Sequence, residues 1–264
     1  MNILSIQQRE GAFLQRYFIN NEQFNENDVV ISGDDYHHIT RVMRMDVGGK
    51  IYCCNNNGQT AVCKIAKITS STVLASIVEW VKESSEMPVK VDIASGLPKG
   101  DKLEYIIQKG TELGAHSFIP FIAARSIVKW DLKKANKKID RWTKIAKEAS
   151  EQSHRHRIPE VHQPFSLQKL IDHSKEYDYK LVAYEEEAKR GERSNLATVL
   201  TDLKQDQSLL VVFGPEGGLT DHEVSLLKEN GFLACSFGPR ILRTETAPLY
   251  LLAAVSYQIE LLLR

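Results

Sequence analysis

Cysteine is scarce in this 264-residue chain, with only Cys53, Cys54, Cys63 and Cys235. None stands in a Cys-x-x-Cys pair, which argues against a zinc ribbon or a disulfide framework; buried free thiols in a reducing cytoplasm are the simplest expectation. No apolar run reaches the roughly 20 residues that span a bilayer, and residues 1–8 lack a cationic start followed by a signal-like apolar core. The expectation is a soluble, cytoplasmic protein with no membrane partner. Net charge is missing too: Lys plus Arg and Asp plus Glu are both 34, which excludes a generally basic nucleic-acid coat but permits a local basic face. Two nucleotide signatures are also absent. No Gly-Lys-Ser or Gly-Lys-Thr follows a glycine-rich loop, and no Gly-x-Gly-x-x-Gly opens a strand-helix unit, which argues against a P-loop kinase or an ordinary dinucleotide domain.

What is present is a pair of glycine-rich turns. The apolar run Val211, Val212, Phe213 enters Gly214-Pro215-Glu216-Gly217-Gly218, and residues 233–237 enter Gly238-Pro239-Arg240-Ile241-Leu242-Arg243-Thr244-Glu245-Thr246. Glycine tolerates positive φ and lets a ligand approach the main chain, so two such turns after successive strands predict a pocket built mainly from backbone. The alternative is a pair of tight turns with Arg240 and Arg243 paired to neighbouring acids. Thr220 and Glu223 have capping-box spacing and predict a helix start.

Residues 1–80 carry short Val-, Ile- and Thr-rich stretches at 29–32, 50–54, 60–68 and 72–78, interrupted at Gly48-Gly49 and at Asn55-Asn56-Asn57-Gly58. This predicts a small β-barrel, the second interruption being a hairpin connection, with a short helix over 35–45. Residues 81–88 break the strand pattern and end in Pro88, marking a linker. From 89 onward strands are expected at 89–94, 118–123, 179–183, 209–213 and 233–237. Helices are expected at 101–114, with an Asp101/Glu104 capping pair, and at 221–230 and 245–263. The alternation is that of an α/β domain over 89–264.

Charge concentrates at 125–157. Arg125, Lys129, Lys133, Lys134, Lys137, Lys138, Arg141, Lys144, Lys147, Arg155 and Arg157 face only Asp131, Asp140, Glu148 and Glu151. Leu132, Ala135, Ile139, Trp142, Ile145, Ala146 and Ala149 follow a helical rhythm, so one face, with Trp142, is expected in the core. The basic remainder is open to two readings, a solvated face or a surface holding RNA phosphates through Lys133, Lys137, Arg155 and Arg157. Arg41 and Arg44, one helical turn apart, have the same two readings; residues 1–80 have seven Lys/Arg against eight Asp/Glu. His37 and His38 lack a third metal ligand nearby, so packing, hydrogen bonding or RNA contact is expected and no metal. The polar stretch of Glu185, Glu186, Glu187, Lys189, Arg190, Glu192 and Arg193 reads as a loop or solvated helix start.

Taken together, Gly-Pro-Glu-Gly-Gly and Gly-Pro-Arg-Ile-Leu-Arg-Thr-Glu-Thr-Ala resemble the signature of the bacterial 16S ribosomal RNA uridine-N3 methyltransferases of the knotted SPOUT superfamily. Nearly the whole chain shares the likeness: His37-His38, Arg41-Val42-Met43-Arg44, Lys99-Gly100 with Glu104, Lys109-Gly110-Thr111-Glu112-Leu113-Gly114, Arg125-Ser126, Arg141-Trp142 and Ala149-Ser150-Glu151-Gln152. The resemblance implies a PUA-like RNA-binding β-barrel domain and a C-terminal α/β domain with a trefoil knot. The implied cofactor is S-adenosylmethionine, held by Phe213, Gly214, Glu216, Gly217 and Gly218 and by Phe237, Gly238, Ile241 and Leu242. The implied substrate is a uridine in the decoding region of 16S ribosomal RNA, in the small subunit or a late precursor. Arg243, then Arg125, are the candidates for stabilising the uracil anion. Glu245 or Glu112 is the candidate proton acceptor, or else serves only to orient an arginine. The closing helix, apolar nearly all round, is either buried in its own domain or against a second copy, and the resemblance implies a homodimer. The competing functions are tRNA or rRNA ribose 2′-O-methylation and a non-catalytic RNA-binding or ribosome-assembly role.

Overall fold

The structure, a computed structural model, describes residues 14–128, 132–184 and 195–262, with side chains at all of these except 132–134. Expectations attached to Lys129, Asp131, Leu132, Lys133, Lys134, the polar stretch 185–193 and Leu263 lie outside the described side chains. Two compact units form: Met1–Glu86 with Ser150–Ile158, and Met87–Ala149 with Pro159–Arg264. No helix among the described residues is long and apolar enough to cross a membrane.

The first unit holds strands β1 (Arg16–Phe18), β2 (Asp28–Ser32), β3 (Lys50–Cys54), β4 (Thr60–Ile68) and β5 (Thr72–Trp80), in the spatial order β1-β3-β4-β5-β2. All neighbours are antiparallel except β1 and β3. Period-two alternation sends Val29, Ile31, Ile51, Cys53, Ala61, Cys63, Ile65, Val73 and Ala75 into one core. Irregularities in β4 at Val62/Cys63 and Ile65/Lys67 curl the sheet. All four cysteines are buried thiols outside any disulfide, and a hydrogen bond to Cys63, with burial, pushes the Cys53 thiol well up.

Helix α1 (Gly33–His37) runs into a π-helical turn, His38–Val42. His38 Nδ1 is hydrogen-bonded to Tyr17 Oη at 3.0 Å, anchoring this turn to β1. The shared helical face expected for Arg41 and Arg44 does not form. The helix ends before Arg44, whose φ of 50° turns the backbone left-handed and re-aims the chain, although both arginines are exposed.

Residues 150–158, which the sequence reading assigned with 89–264, pack in the first unit around a buried ion pair. Glu86 accepts hydrogen bonds from Arg155 Nη2, from Arg155 Nε at 3.2 Å and from the His156 N–H at 2.8 Å. Arg155 is only 3% exposed, and its carbonyl accepts from Arg16 Nη1 at 2.9 Å. Arg155 is therefore a structural cation, not the RNA contact expected: its guanidinium is spent on Glu86. Burial pushes the Glu86 carboxyl up, but the Arg155 hydrogen bonds and charge outweigh it and hold the group below its ordinary value.

In the second unit β6 (Lys90–Gly96), β7 (Ser117–Ile122), β8 (Glu160–Val161), β10 (Tyr179–Ala183), β11 (Ser208–Phe213) and β12 (Leu233–Cys235) form a parallel sheet in the order β12-β10-β11-β6-β7-β8, with β9 (Phe165–Ser166) on β7. Strand β11, flanked by β10 and β6, is buried from Leu209 to Phe213, which explains its unbroken apolar run. Helices α2 (Lys102–Glu112), α3 (Leu132–Gln152), α4 (Leu167–His173), α5 (Asn195–Asp202), α6 (Asp221–Glu229) and α7 (Ala247–Ser256) are the described α-helices of the unit, which includes α3 as far as Ala149. Gly110 lets α2 lie close on the sheet, since a Cβ there would come within 2.7 Å of the Phe118 ring. Trp142 of α3 is buried, as its helical rhythm predicts.

The capping box of α6 forms as expected, with Thr220 Oγ1 accepting the Glu223 N–H and Glu223 accepting the Thr220 N–H. The Asp101/Glu104 pair does not. The Asp101 side chain makes no capping bond, and Glu104 instead takes Arg141 Nη2 at 2.6 Å. The last helix begins at Ala247, with Pro248 in its first turn, and continues as a π-helical Tyr257–Leu262.

The Glu86 site generates a prediction with a definite sign. A depressed carboxyl contributes stability that is present above the unfolded value, about 4.3, and is lost as pH falls through the folded value. Glu86→Gln should cost about 3 kcal/mol at pH 7, the scale for leaving one partner of a buried pair unmatched. It should also flatten the acid limb of the stability profile. Urea unfolding at neutral pH and below the carboxylate range checks this; equal losses at both would contradict it.

Candidate active site

All strands of the second unit run the same way, so the loops after β10, β11 and β12 leave from one edge of the sheet. Ligands of open parallel sheets bind at that carboxyl edge. Here it holds a cavity of about 890 Å³, inside the range of small-molecule sites. Every residue expected at the cofactor lines it: Phe213, Gly214, Glu216, Gly217 and Gly218 from the first turn, and Phe237, Gly238, Ile241 and Leu242 from the second. Ala183 and Tyr184, at the end of β10, lie between the two turns.

The first turn closes through a Gly218 N–H bond to the Pro215 carbonyl at 2.8 Å. Two of its glycines resist a side chain: a Cβ on Gly214 would sit 2.9 Å from Gly218 C, and Gly218 has φ +68°. A Cβ on Gly217 would meet Arg125 Cβ at 3.1 Å, so the neighbouring loop crowds this position. Behind the turn, a Cβ on Gly96 would fall 2.6 Å from the Pro215 ring, so β6 and the turn are in direct contact. In the second turn Thr244 Oγ1 reaches the Gly214 carbonyl at 3.5 Å. Phe213 and Phe237 pack at a centroid distance of 5.6 Å and give the cavity an apolar wall.

The cations around the cavity are used differently. Arg125 Nη1 donates to the carbonyls of Gly217 at 3.0 Å and Leu219 at 3.2 Å and so holds the first turn. Lys102 Nζ lies 2.9 Å from Glu216 Oε1 and 3.5 Å from Glu245 Oε2. Arg240 and Arg243 line the cavity and, among the described residues, neither guanidinium is engaged in a hydrogen bond or ion pair. Among the described residues these arginines are not paired with neighbouring acids, one of the two readings above; the cation beside Glu216 and Glu245 is Lys102.

The expected proton acceptors lie elsewhere. Glu245 faces Lys102 and is not among the residues lining the cavity. Glu112 sits in the last turn of α2 paired with Lys109 Nζ at 2.8 Å, also away from the cavity. Of the cationic candidates for RNA, Arg41, Arg44 and Lys137 are exposed and Arg157 is half-buried. Sequence reasoning missed Lys102, Tyr184 and Asp221, the last two joined by a 2.7 Å hydrogen bond at the cavity. The Thr220-Asp221 cap pointed at Asp221, whereas a single lysine opening a helix carries no sequence signal.

These features sit within sequence families that match the chain. Residues 85–256 match the RNA methyltransferase domain and residues 31–78 the RNA methyltransferase PUA domain, the order expected from the sequence. The chain is 54% identical over 252 residues to ribosomal RNA small subunit methyltransferase E of Bacillus subtilis, covering 94% of this chain and 98% of that protein. It is 32% identical over 268 residues to the protein of the same name from Synechocystis, covering 98% and 84%. The crystal structure of ribosomal RNA small subunit methyltransferase E from Neisseria gonorrhoeae bound to S-adenosyl methionine superimposes with a TM-score of 0.79 at 27% identity, covering 92% and 97%. On the identity and span of these matches, the chain belongs to the ribosomal RNA small subunit methyltransferase E family.

Proposed function

We propose that this protein transfers the methyl group of S-adenosylmethionine to N3 of a uridine in the decoding region of 16S ribosomal RNA, acting in the cytoplasm on the small subunit or a late precursor. The observation that carries the reading is the pair of glycine turns meeting at one cavity beside an unengaged Arg243, in a chain whose relative binds S-adenosylmethionine. The cavity suits such a group: its walls are main chain at Gly214, Gly217, Gly218 and Gly238 and apolar at Phe213, Phe237, Ile241 and Leu242. Those residues would hold the nucleoside by backbone contacts and apolar packing. When bound, S-adenosylmethionine supplies an activated methyl carbon, which leaves the protein to align the acceptor and manage charge.

Uracil N3 carries a proton at neutral pH, and losing it leaves an anion. Arg243, without a hydrogen bond or ion pair among the described residues, is the residue to stabilise that charge; Arg125 instead holds the turn through two carbonyls. Neither Glu112 nor Glu245 lines the cavity, so in this reading neither takes the proton directly, and Glu245 acts through Lys102. Exposed Arg41, Arg44 and Lys137, with Arg157, are proposed to hold RNA phosphates. We also read the second unit as trefoil-knotted, in keeping with the family signature. A homodimer is proposed through the last helix, where Tyr250, Tyr257, Leu261 and Leu262 are 43%, 56%, 70% and 55% exposed.

Nucleoside mass analysis of 16S ribosomal RNA from a strain lacking the protein, before and after restoring it, tests the reaction. Loss and return of a base methyl on a decoding-region uridine is expected; loss of only a ribose methyl would contradict it. Arg243→Ala should lower single-turnover methylation about 10²-fold or more at saturating ribosomal substrate. Its cofactor affinity by calorimetry should stay within about threefold, and Arg243→Lys should recover only part of the rate, because an ammonium lacks the guanidinium's planar donors. A near-normal rate in Arg243→Ala would remove this residue from the mechanism. Light scattering at micromolar concentration should return twice the chain mass, and a monomer mass would contradict the dimer.

A further inference from the structure

Lys102 occupies an electrostatically adverse place. It is the first residue of α2, where the positive end of the helix dipole disfavours a cation, and Asp101 before it makes no capping bond. Two acids compensate. Lys102 Nζ is 2.9 Å from Glu216 Oε1 in the first glycine turn and 3.5 Å from Glu245 Oε2 at the end of the second. Glu216 is also fixed by the Lys99 N–H at 3.1 Å, so its carboxylate binds the loop after β6 through both a side chain and the backbone. All three side chains are less than one-third exposed, at 31%, 29% and 19%. The Glu216 hydrogen bond raises the Lys102 ammonium above its ordinary value. Burial pushes Glu216 up, but Lys102 and the backbone donors win and hold it below. One ammonium therefore keeps two carboxylates, from separate turns, in register.

We infer that Lys102 is a positioning residue that clamps the two turns of the proposed cofactor site together and thereby sets the place of Arg243, two residues before Glu245. Without its ammonium, Glu216 and Glu245 face each other as like charges with no cation between them, and the second turn is pushed off the first. Among the described residues, the ties that remain between those turns are the long Thr244 Oγ1 contact to the Gly214 carbonyl at 3.5 Å and the packing of Phe213 on Phe237. This inference rests on the reading of the cavity as an S-adenosylmethionine site, but the clamp itself is a property of the unliganded chain.

The test separates the two. Amide hydrogen exchange is followed in the unliganded full-length protein for the wild type, Lys102→Met, Lys102→Arg, Glu245→Gln and the Lys102→Met/Glu245→Gln double variant. Lys102→Met should speed exchange at Gly218, Thr246 and Ala247 about tenfold while β10 and β11 stay protected, a size typical of coupled neighbours. Calorimetry should show about tenfold weaker S-adenosylmethionine binding, and the single-turnover rate should remain several-fold low at saturating cofactor. Lys102→Arg should restore most of both. The double variant should be no worse than Lys102→Met alone, because removing one carboxylate relieves the repulsion. Unchanged exchange in the turns, a response confined to the start of α2, or additive losses in the double variant would overturn the clamp. If Lys102→Met does not fold, Glu245→Gln carries the same test: faster exchange at Thr246 and Ala247 supports the clamp, and unchanged exchange overturns it. Failure of the wild type to bind S-adenosylmethionine would refute the functional reading and leave the exchange result to judge the clamp.

Discussion

The parallel pairing of β11 with β10 on one side and β6 on the other is the constraint from which the site follows. Parallel strands end at the same edge, so the loops after β6, β10 and β11, with the one after β12 beside β10, converge without any loop having to travel far. The pairing is secured by burial. Residues Leu209 to Phe213 are each at most 2% exposed, and a fully buried side chain of this kind contributes about 1.5–3 kcal/mol relative to exposure. With the strands held, the turns need little freedom of their own. Gly96 touches Pro215, Gly217 accommodates Arg125, and the Thr220/Glu223 box fixes where α6 begins. Glu223 also accepts the Ala124 N–H at 2.8 Å, which ties the loop carrying Arg125 to the start of α6.

Charge at the cavity is divided by what each cation finds within reach. Arg125 meets the carbonyls of the first turn, and Lys102 meets the side-chain carboxylates of Glu216 and Glu245. Among the described residues Arg240 and Arg243 meet neither, and both line the cavity. The first unit shows the opposite use of arginine. Arg16 is buried beneath Tyr52 and donates to Cys54 Sγ at 3.0 Å and Thr60 Oγ1 at 3.2 Å, while Arg155 is matched to Glu86. Two arginines in the same chain thus build a core, and two others face solvent beside a cavity.

Much of this was legible in the sequence wherever a local pattern carried it. Alternation and apolar runs marked 50–54, 60–68 and 179–183 at the bounds of β3, β4 and β10, and the two glycine turns named the residues that line the cavity. Features that depend on distant partners were not legible. Arg155 looked like one more cation in a basic run; only folding brings it to Glu86, 69 residues away. Arg44 looked like a helical neighbour of Arg41, but no periodicity announces a left-handed residue. β1 is three residues long, below the length at which a period can be read, and it is fixed by pairing with β3. Lys102 lacked any signal because its meaning lies in two acids more than a hundred residues further on.

The central claim is that two backbone turns at one edge of the parallel sheet form a single S-adenosylmethionine site. Backbone amide chemical shifts recorded during titration with S-adenosylmethionine test it most directly. The account predicts saturable changes shared by Gly214, Gly217 and Gly218 and by Gly238, Ile241 and Leu242, following one binding curve, with the amides of β3 and β4 unmoved. Changes confined to one turn, two separate binding curves, or changes centred on the first unit would contradict it.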